Sequence, residues 1–85
     1  MITKKLTIGA PDGIHARPAG DLVKLVKSFP VTRVTMSTAT RTVNASSILS
    51  ILSLALKKGT EVEIKADGPD EDKVLAEVTS FLESL

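Results

Sequence analysis

The chain has 85 residues, 42% hydrophobic and 25% charged, with a formal net charge of +1, one histidine and no cysteine. That length predicts one domain, residues 1–85, whose core comes from Leu, Ile, Val and Ala because Phe29 and Phe81 are the only aromatic residues. The near-neutral charge and the missing Trp and Tyr argue against a nucleic-acid partner, the lone histidine against a metal or cofactor cluster, and the missing cysteines fit a reducing cytoplasm.

In chain order, Ile2, Leu6 and Ile8 alternate with Thr3, Lys5 and Thr7, as a half-buried strand does; Lys4 is the exception on the apolar side. The same alternation does not read as a secretory leader. Pro11-Asp12-Gly13 predicts a turn, since proline presets its backbone, Asp bonds locally and Gly accepts strained angles. From Ala16 to about Lys27 the period changes. Ala19, Leu22, Val23 and Val26 recur at three- and four-residue steps, which predicts a helix with one buried face, Pro18 in its first turn and Pro30 beyond its end.

Thr32 to Val43 reads as two short strands, with Val34 and Met36 on one face and a reversal near Ala39-Thr40. Asn44, Ser46 or Ser47 could each cap a second helix over the run ILSILSLAL. Gly59 is expected to end that unit after Lys57 and Lys58, both suited to a helix C-terminal dipole. Ile48, Leu49, Ile51, Leu52 and Leu54 cover nearly all faces of this helix. A small domain cannot bury them all, so some are expected to stay exposed as a contact patch. Val62, Ile64 and Ala66 then alternate with charged residues in another strand. Gly68-Pro69-Asp70-Glu71-Asp72 opens a last helix whose stripe is Val74, Leu75, Val78, Phe81, Leu82 and Leu85. No window approaches the ~20 apolar residues of a membrane span, so no membrane association is expected.

The order is β-α-β-β-α-β-α, and every strand keeps one polar face. Antiparallel sheets tolerate water on one side, so the pattern predicts a two-layer α+β domain with helices over one face and solvent on the other.

The stretch GIHARPAG places His15 at or just before a helix start, where unpaired N–H groups and a partial positive charge meet. Such an end suits phosphate. Ala16 and Arg17 can offer backbone donors, Pro18 cannot, and the Arg17 guanidinium matches phosphate oxygens. A neutral imidazole is a nucleophile near neutral pH and can take a phosphoryl group covalently. The plain alternative is a surface cap residue beside a solvated arginine. No second base or carboxylate dyad accompanies the ring, which argues against hydrolysis on this chain alone. Lys24 and Lys27 return to nearly the same helix face as Arg17 and would steer an acidic partner toward His15.

Gly13-Ile14-His15-Ala16-Arg17-Pro18-Ala19 resembles the active-site motif of the HPr family, the histidine-containing phosphocarriers of the bacterial phosphoenolpyruvate-dependent phosphotransferase system. Val43-Asn44, the serine-led Ser47-Ile48-Leu49 and Lys58-Gly59 are similar to the family's later motifs, in the same order. The resemblance implies an open-faced sandwich: a four-stranded antiparallel sheet in the order 1-4-2-3 with three helices on one face. It implies that His15 accepts a phosphoryl group on Nδ1 from phosphorylated enzyme I and passes it to an enzyme IIA domain, with Arg17 clamping the phosphoryl oxygens. The carrier would be stoichiometric rather than an enzyme, cytoplasmic and monomeric, and would use no cofactor. Ile48, Leu49 and Leu52, beside Lys24 and Lys27, would form its docking surface.

By the same resemblance Ser47 matches a serine that an HPr kinase/phosphorylase modifies in some members; Ser46 is the adjacent alternative, and a helix cap is the simpler role. A phosphate at Ser47 would repel an acidic partner. The chain departs from the family at Asp12, where Ser or Asn is common, and at Gly20, where Thr or Ser is common. Ser50 and Ala55 stand at positions the sugar-type members usually fill with glycine. The alternative function is therefore a regulatory HPr-like protein of a carbon-catabolite or nitrogen-related branch, acting through Ser47 and protein binding. A small structural or nucleic-acid module is the third class.

Overall fold

Alternation and helical periodicity resolve into seven elements in a computed structural model that describes residues 1–85. They are β1 (Ile2–Thr7), α1 (Ala16–Lys27), β2 (Arg33–Ser37), β3 (Thr42–Asn44), α2 (Ile48–Ser53), β4 (Glu61–Asp67) and α3 (Glu71–Glu83). The sheet order is β1-β4-β2-β3 and every pairing is antiparallel. The register sets Ile2 opposite Ala66 and Leu6 opposite Val62, while Val34 and Met36 lie opposite Ala66 and Ile64. Because side chains alternate across a strand, this one face collects the apolar residues, and the three helices cover it. Thr3, Lys5, Thr35, Ser37, Glu63 and Lys65 fall on the other face, which stays in water. The architecture is the open-faced α+β sandwich that the strand pattern predicts.

The core is aliphatic. Ile8, Leu22, Met36, Ile51, Ile64, Val34, Val62, Val74 and Val78 are its largest fully buried side chains. Each such burial stabilises by about 1.5–3 kcal/mol before entropy is counted. The β2–β3 reversal falls at Ala39-Thr40, with the Thr38 N–H donating to the Arg41 carbonyl at 2.9 Å. Ile8 is buried but lies one residue past the end of β1, where its N–H donates to the Thr60 carbonyl at 2.8 Å.

Three expectations need correction. The second helix does not run to the lysines: α2 stops at Ser53, Leu54 is its C-cap, and Ala55 turns left-handed at φ 52°. The physical reason is that Leu54 and Leu56 both enter the core, at 8% and 3% exposure, and a continued helix could not point both inward. Lys57 and Lys58 therefore sit in the following turn, where the Thr60 N–H donates to the Lys57 carbonyl, rather than at a helix dipole. Pro69 likewise lies outside the last helix. Asp70 is the N-cap of α3, without a side-chain cap bond, and only Glu71 and Asp72 occupy the first turn. Leu85 is 37% exposed and does not join the stripe.

Candidate functional site

The loop between β1 and α1 delivers His15 to the surface by anchoring the residues before it. The Gly13 N–H donates to the Ala10 carbonyl at 3.0 Å and closes the Pro11-Asp12 turn. Gly13 has φ +69°, and a Cβ there would collide with the Leu56 carbonyl oxygen, so the position needs glycine on both counts. Ile14 is buried, and its N–H donates to that same carbonyl at 2.9 Å. With both neighbours held against Leu56, His15 is the next residue out. It is the N-cap of α1 in extended conformation (φ −113°, ψ −170°), and its carbonyl accepts from the Ala19 N–H at 3.0 Å.

The His15 ring is exposed and caps no backbone group. The N–H groups of Ala16 and Arg17 find no acceptor in the chain, as expected for the first turn of a helix, and Pro18 has none to offer. The exposed Arg17 guanidinium has no carboxylate within ion-pair distance, since both ion pairs of the molecule involve Met1. The first turn of α1 carries no acid. The helix opening thus places two free backbone donors and an unpaired guanidinium beside an unbonded imidazole. Chemically this is a nucleophile next to an anion cradle.

α1 and α2 lie side by side, and a shallow depression of about 670 Å³ opens between them. Gly20, Val23, Lys24, Lys27 and Ile48 line it. Ile48 and Leu49 are exposed at 40% and 80%, whereas Leu52 is half-buried against the core. The structure therefore brings Lys24, Lys27 and Ile48 to one surface, with Leu49 standing most clear of the core and Leu52 least. The six-residue helix α2 thus shows two apolar side chains to water while Ile51 fills the interior.

The adjacent serines have different local roles. Ser47 caps α2, its Oγ accepting from the Ser50 N–H at 3.3 Å. Ser46 donates both its N–H and its hydroxyl to the Asn44 Oδ1, at 2.9 and 2.8 Å. Of the three candidate caps, the structure selects Ser47, and Asn44 instead shapes the turn ahead of it. Asp12 is exposed in the turn before His15.

No three His, Cys, Asp or Glu side chains come together as metal ligands, and no helix is long and apolar enough to cross a membrane. Sequence reasoning marked Gly20 only as a departure from the family and did not place it on this surface. The signal was there: a glycine inside an otherwise regular helix.

The family model describing the PTS HPr component phosphorylation site matches residues 2–84. The chain is 33% identical over 85 residues to the phosphocarrier protein HPr of Haemophilus influenzae, covering 100% of this chain and 99% of that protein. Its fold is similar to the crystal structure of HPr from Thermoanaerobacter tengcongensis, with a TM-score of 0.92, 31% identity, and 99% and 93% of the two chains covered. It is also similar to the catabolite repression protein Crh of Bacillus subtilis, a dimer with a swapped domain, with a TM-score of 0.79, 32% identity, and 99% and 95% covered.

Proposed function

Because the chain belongs to the HPr phosphocarrier family of the phosphotransferase system, we propose that it relays a phosphoryl group through His15 from phosphorylated enzyme I to an enzyme IIA domain. The observation that carries this reading is the exposed, unbonded imidazole at the opening of α1, beside the free N–H groups of Ala16 and Arg17.

In the first transfer the Nδ1 lone pair attacks phosphorus. The bond from phosphorus to the donor residue breaks, and its electron pair stays with the donor. The two free N–H groups and the Arg17 guanidinium take up the charge on the three phosphoryl oxygens. In the second transfer an acceptor nucleophile attacks the same phosphorus, and the N–P electron pair returns to the imidazole. The chain is regenerated unchanged and turns over no small molecule of its own, which makes it a stoichiometric carrier and not an enzyme. Lys24 and Lys27 draw acidic partners toward the site, and Ile48, Leu49 and Leu52 supply their apolar footing. The carrier works as a cytoplasmic monomer.

Incubation with phosphoenolpyruvate and enzyme I tests the reading. The expected product is an acid-labile, base-stable phosphohistidine that His15→Ala abolishes; a wild-type chain that stays unmodified removes the relay.

A second reading follows from the similarity to Crh. In it the chain regulates by protein binding, and an HPr kinase/phosphorylase modifies Ser47. Phosphate on that Oγ would displace the bond from the Ser50 N–H and add about two negative charges at the edge of the docking surface. Incubation with such a kinase and ATP, followed by assay of the transfer from enzyme I, separates the readings. Phosphoserine at residue 47 with blocked transfer supports regulation, and a chain the kinase ignores removes it.

A further inference from the structure

The apolar side of β1 is broken once. Ile2 and Leu6 face the helices, and the residue between them at that spacing is Lys4. Register fixes its place on the helix side: Lys4 lies opposite Ile64, which is fully buried, and it lines a cleft of about 350 Å³ with Leu75, Asp72 and Glu83 of α3. Lys4 is exposed and pairs with neither carboxylate. Isoleucine or valine at this position would complete the apolar row and suit a strand better. The fold forgoes that gain, and the phosphoryl chemistry assigns the ammonium no part.

β1 is also where the sheet ends. The order β1-β4-β2-β3 leaves two edges of unequal length, three residues in β3 and six in β1. A three-residue edge templates little pairing, whereas six residues make an ordinary strand. β1 contains no proline, and its register with β4 runs unbroken from Ile2 to Thr7. The Ile8 N–H points toward β4, where it donates to the Thr60 carbonyl. By the alternation of an antiparallel ladder, the N–H and C=O groups of Thr3, Lys5 and Thr7 point away from the sheet, free to bond another strand.

A second copy of this chain almost fits that edge. A twofold axis sets two β1 strands antiparallel. Outward groups bond only outward groups, so odd residues must oppose odd residues, and two registers then overlap most of the strand. In the first, Ile2 meets the partner's Leu6 and Thr3 meets the partner's Lys5. The self-complementarity fails at the centre, where Lys4 meets the partner's Lys4 in a non-hydrogen-bonded pair, the geometry in which side chains approach most closely. In the second, Lys5 meets the partner's Lys5, and Lys4 meets the partner's Leu6. We propose that Lys4 is a guard residue: its ammonium, set among the apolar residues of the sheet edge, denies β1 to the β1 of a second copy and keeps the chain single. Like charges opposed at close range, drawn out of water with no ion pair to offset the loss, are what hold the two edges apart. The inference gives the proposed monomer a physical cause and stands apart from the phosphoryl transfer.

Sedimentation of the full chain tests it on wild type, Lys4→Ile, Lys4→Val and Lys4→Arg, the two apolar replacements guarding against a packing fault in either. Wild type and Lys4→Arg are expected to stay monomeric up to about 1 mM, whereas Lys4→Ile and Lys4→Val dimerise with a Kd of about 100 μM or tighter. Amide hydrogen exchange at high protein concentration locates the contact: the Thr3 and Lys5 N–H groups are expected to exchange at least about tenfold more slowly in the apolar variants than in wild type. Apolar variants that fold and remain monomeric over the same range would overturn the inference. Dimers whose Thr3 and Lys5 amides exchange as in wild type would overturn it as well, because the contact would lie elsewhere. A wild-type chain already paired through β1 removes both the guard and the monomer and leaves the relay standing. A monomeric wild type that enzyme I does not phosphorylate, with apolar variants that pair through β1, removes the relay and upholds the guard.

Discussion

At one end of the sheet, where β4 passes into α3, polar groups are answered from within the chain. The Thr32 hydroxyl accepts from the Asp70 N–H at 3.4 Å, the Glu71 N–H donates to the Gly68 carbonyl at 3.1 Å, and the Met1 ammonium pairs with Glu71 and, at 3.8 Å, with Asp67. At the opposite end, where β1 feeds the loop to α1, the groups that matter have no internal partner: the His15 ring, two N–H groups and the Arg17 guanidinium. All of these are exposed, so water satisfies them and their isolation costs little. One end closes the fold, and the other leaves its bonding capacity to solvent, where the proposed relay would draw on it. Stability and phosphoryl chemistry should therefore respond to different substitutions.

The sharpest way to break this division is Arg17→Ala. The exposed guanidinium makes no hydrogen bond or ion pair within its own chain, so the melting temperature is expected to stay within about 1 °C. Transfer from enzyme I is expected to fall about 100-fold, since a charge-assisted bidentate contact to the transferring oxygens is lost. Unchanged single-turnover kinetics would contradict the clamp. At the closed end, Gly68→Ala is the mirror experiment. Gly68 has φ +157°, and a Cβ there would lie 2.7 Å from the Thr32 Cα. Urea unfolding is expected to show a loss of about 2–3 kcal/mol, while phosphorylation of His15 well below the transition stays at the wild-type rate. A Gly68→Ala chain that keeps its stability but loses transfer would couple the two ends and defeat the comparison.

The open end was largely legible in the sequence because its information is local. Gly13 through Ala19 spell a turn, an imidazole and a helix start within one short stretch, and the spacing of Ala19, Leu22, Val23 and Val26 fixes which face of α1 turns inward. The closed end was not legible in the same way. Its bond between Thr32 and Asp70 joins residues 38 apart, and nothing in either neighbourhood announces the other. The end of α2 was misread for a related reason. Ala55 is not itself a glycine, so only the resemblance, which has glycine at that position in sugar-type members, hinted at a left-handed residue, and the core's demand for both Leu54 and Leu56 overrides the expectation that the helix runs on to Gly59. The exposure of Ile48 and Leu49 was readable from excess: too many apolar residues for one short helix to bury.

A smaller effect sharpens the account of the closed end. Thr32 is 4% exposed, and valine is nearly its shape. Thr32→Val leaves the Asp70 N–H without its acceptor and is expected to cost about 1 kcal/mol, measured by urea unfolding, with transfer unaltered. A neutral outcome would mean that water replaces the hydroxyl and that the bond contributes nothing.

The smallest expected effect concerns the Met1 ammonium, and its sign follows from linkage. Its pKa is raised above the ordinary 8.0, first by the side-chain hydrogen bond to Glu71, against an opposing desolvation that ranks second, with the charges of Glu71, Asp67 and Asp72 adding to the rise. A group whose folded pKa is raised binds its proton more tightly in the native state. Its stabilising contribution is complete below the unfolded value near 8.0 and disappears as pH climbs through the higher folded value. The informative quantity is the stability difference between wild type and Glu71→Gln, because it isolates the ion pair from every group that the two chains share. That difference is expected to be largest below the ordinary value of 8.0 and to shrink as pH climbs through the raised folded value, where the amine loses its charge and a carboxylate at residue 71 no longer has a cation to meet. A difference that stays constant across this range would show that Glu71 acts through the backbone of α3 alone, and the ion pair at the closed end would drop out of the comparison.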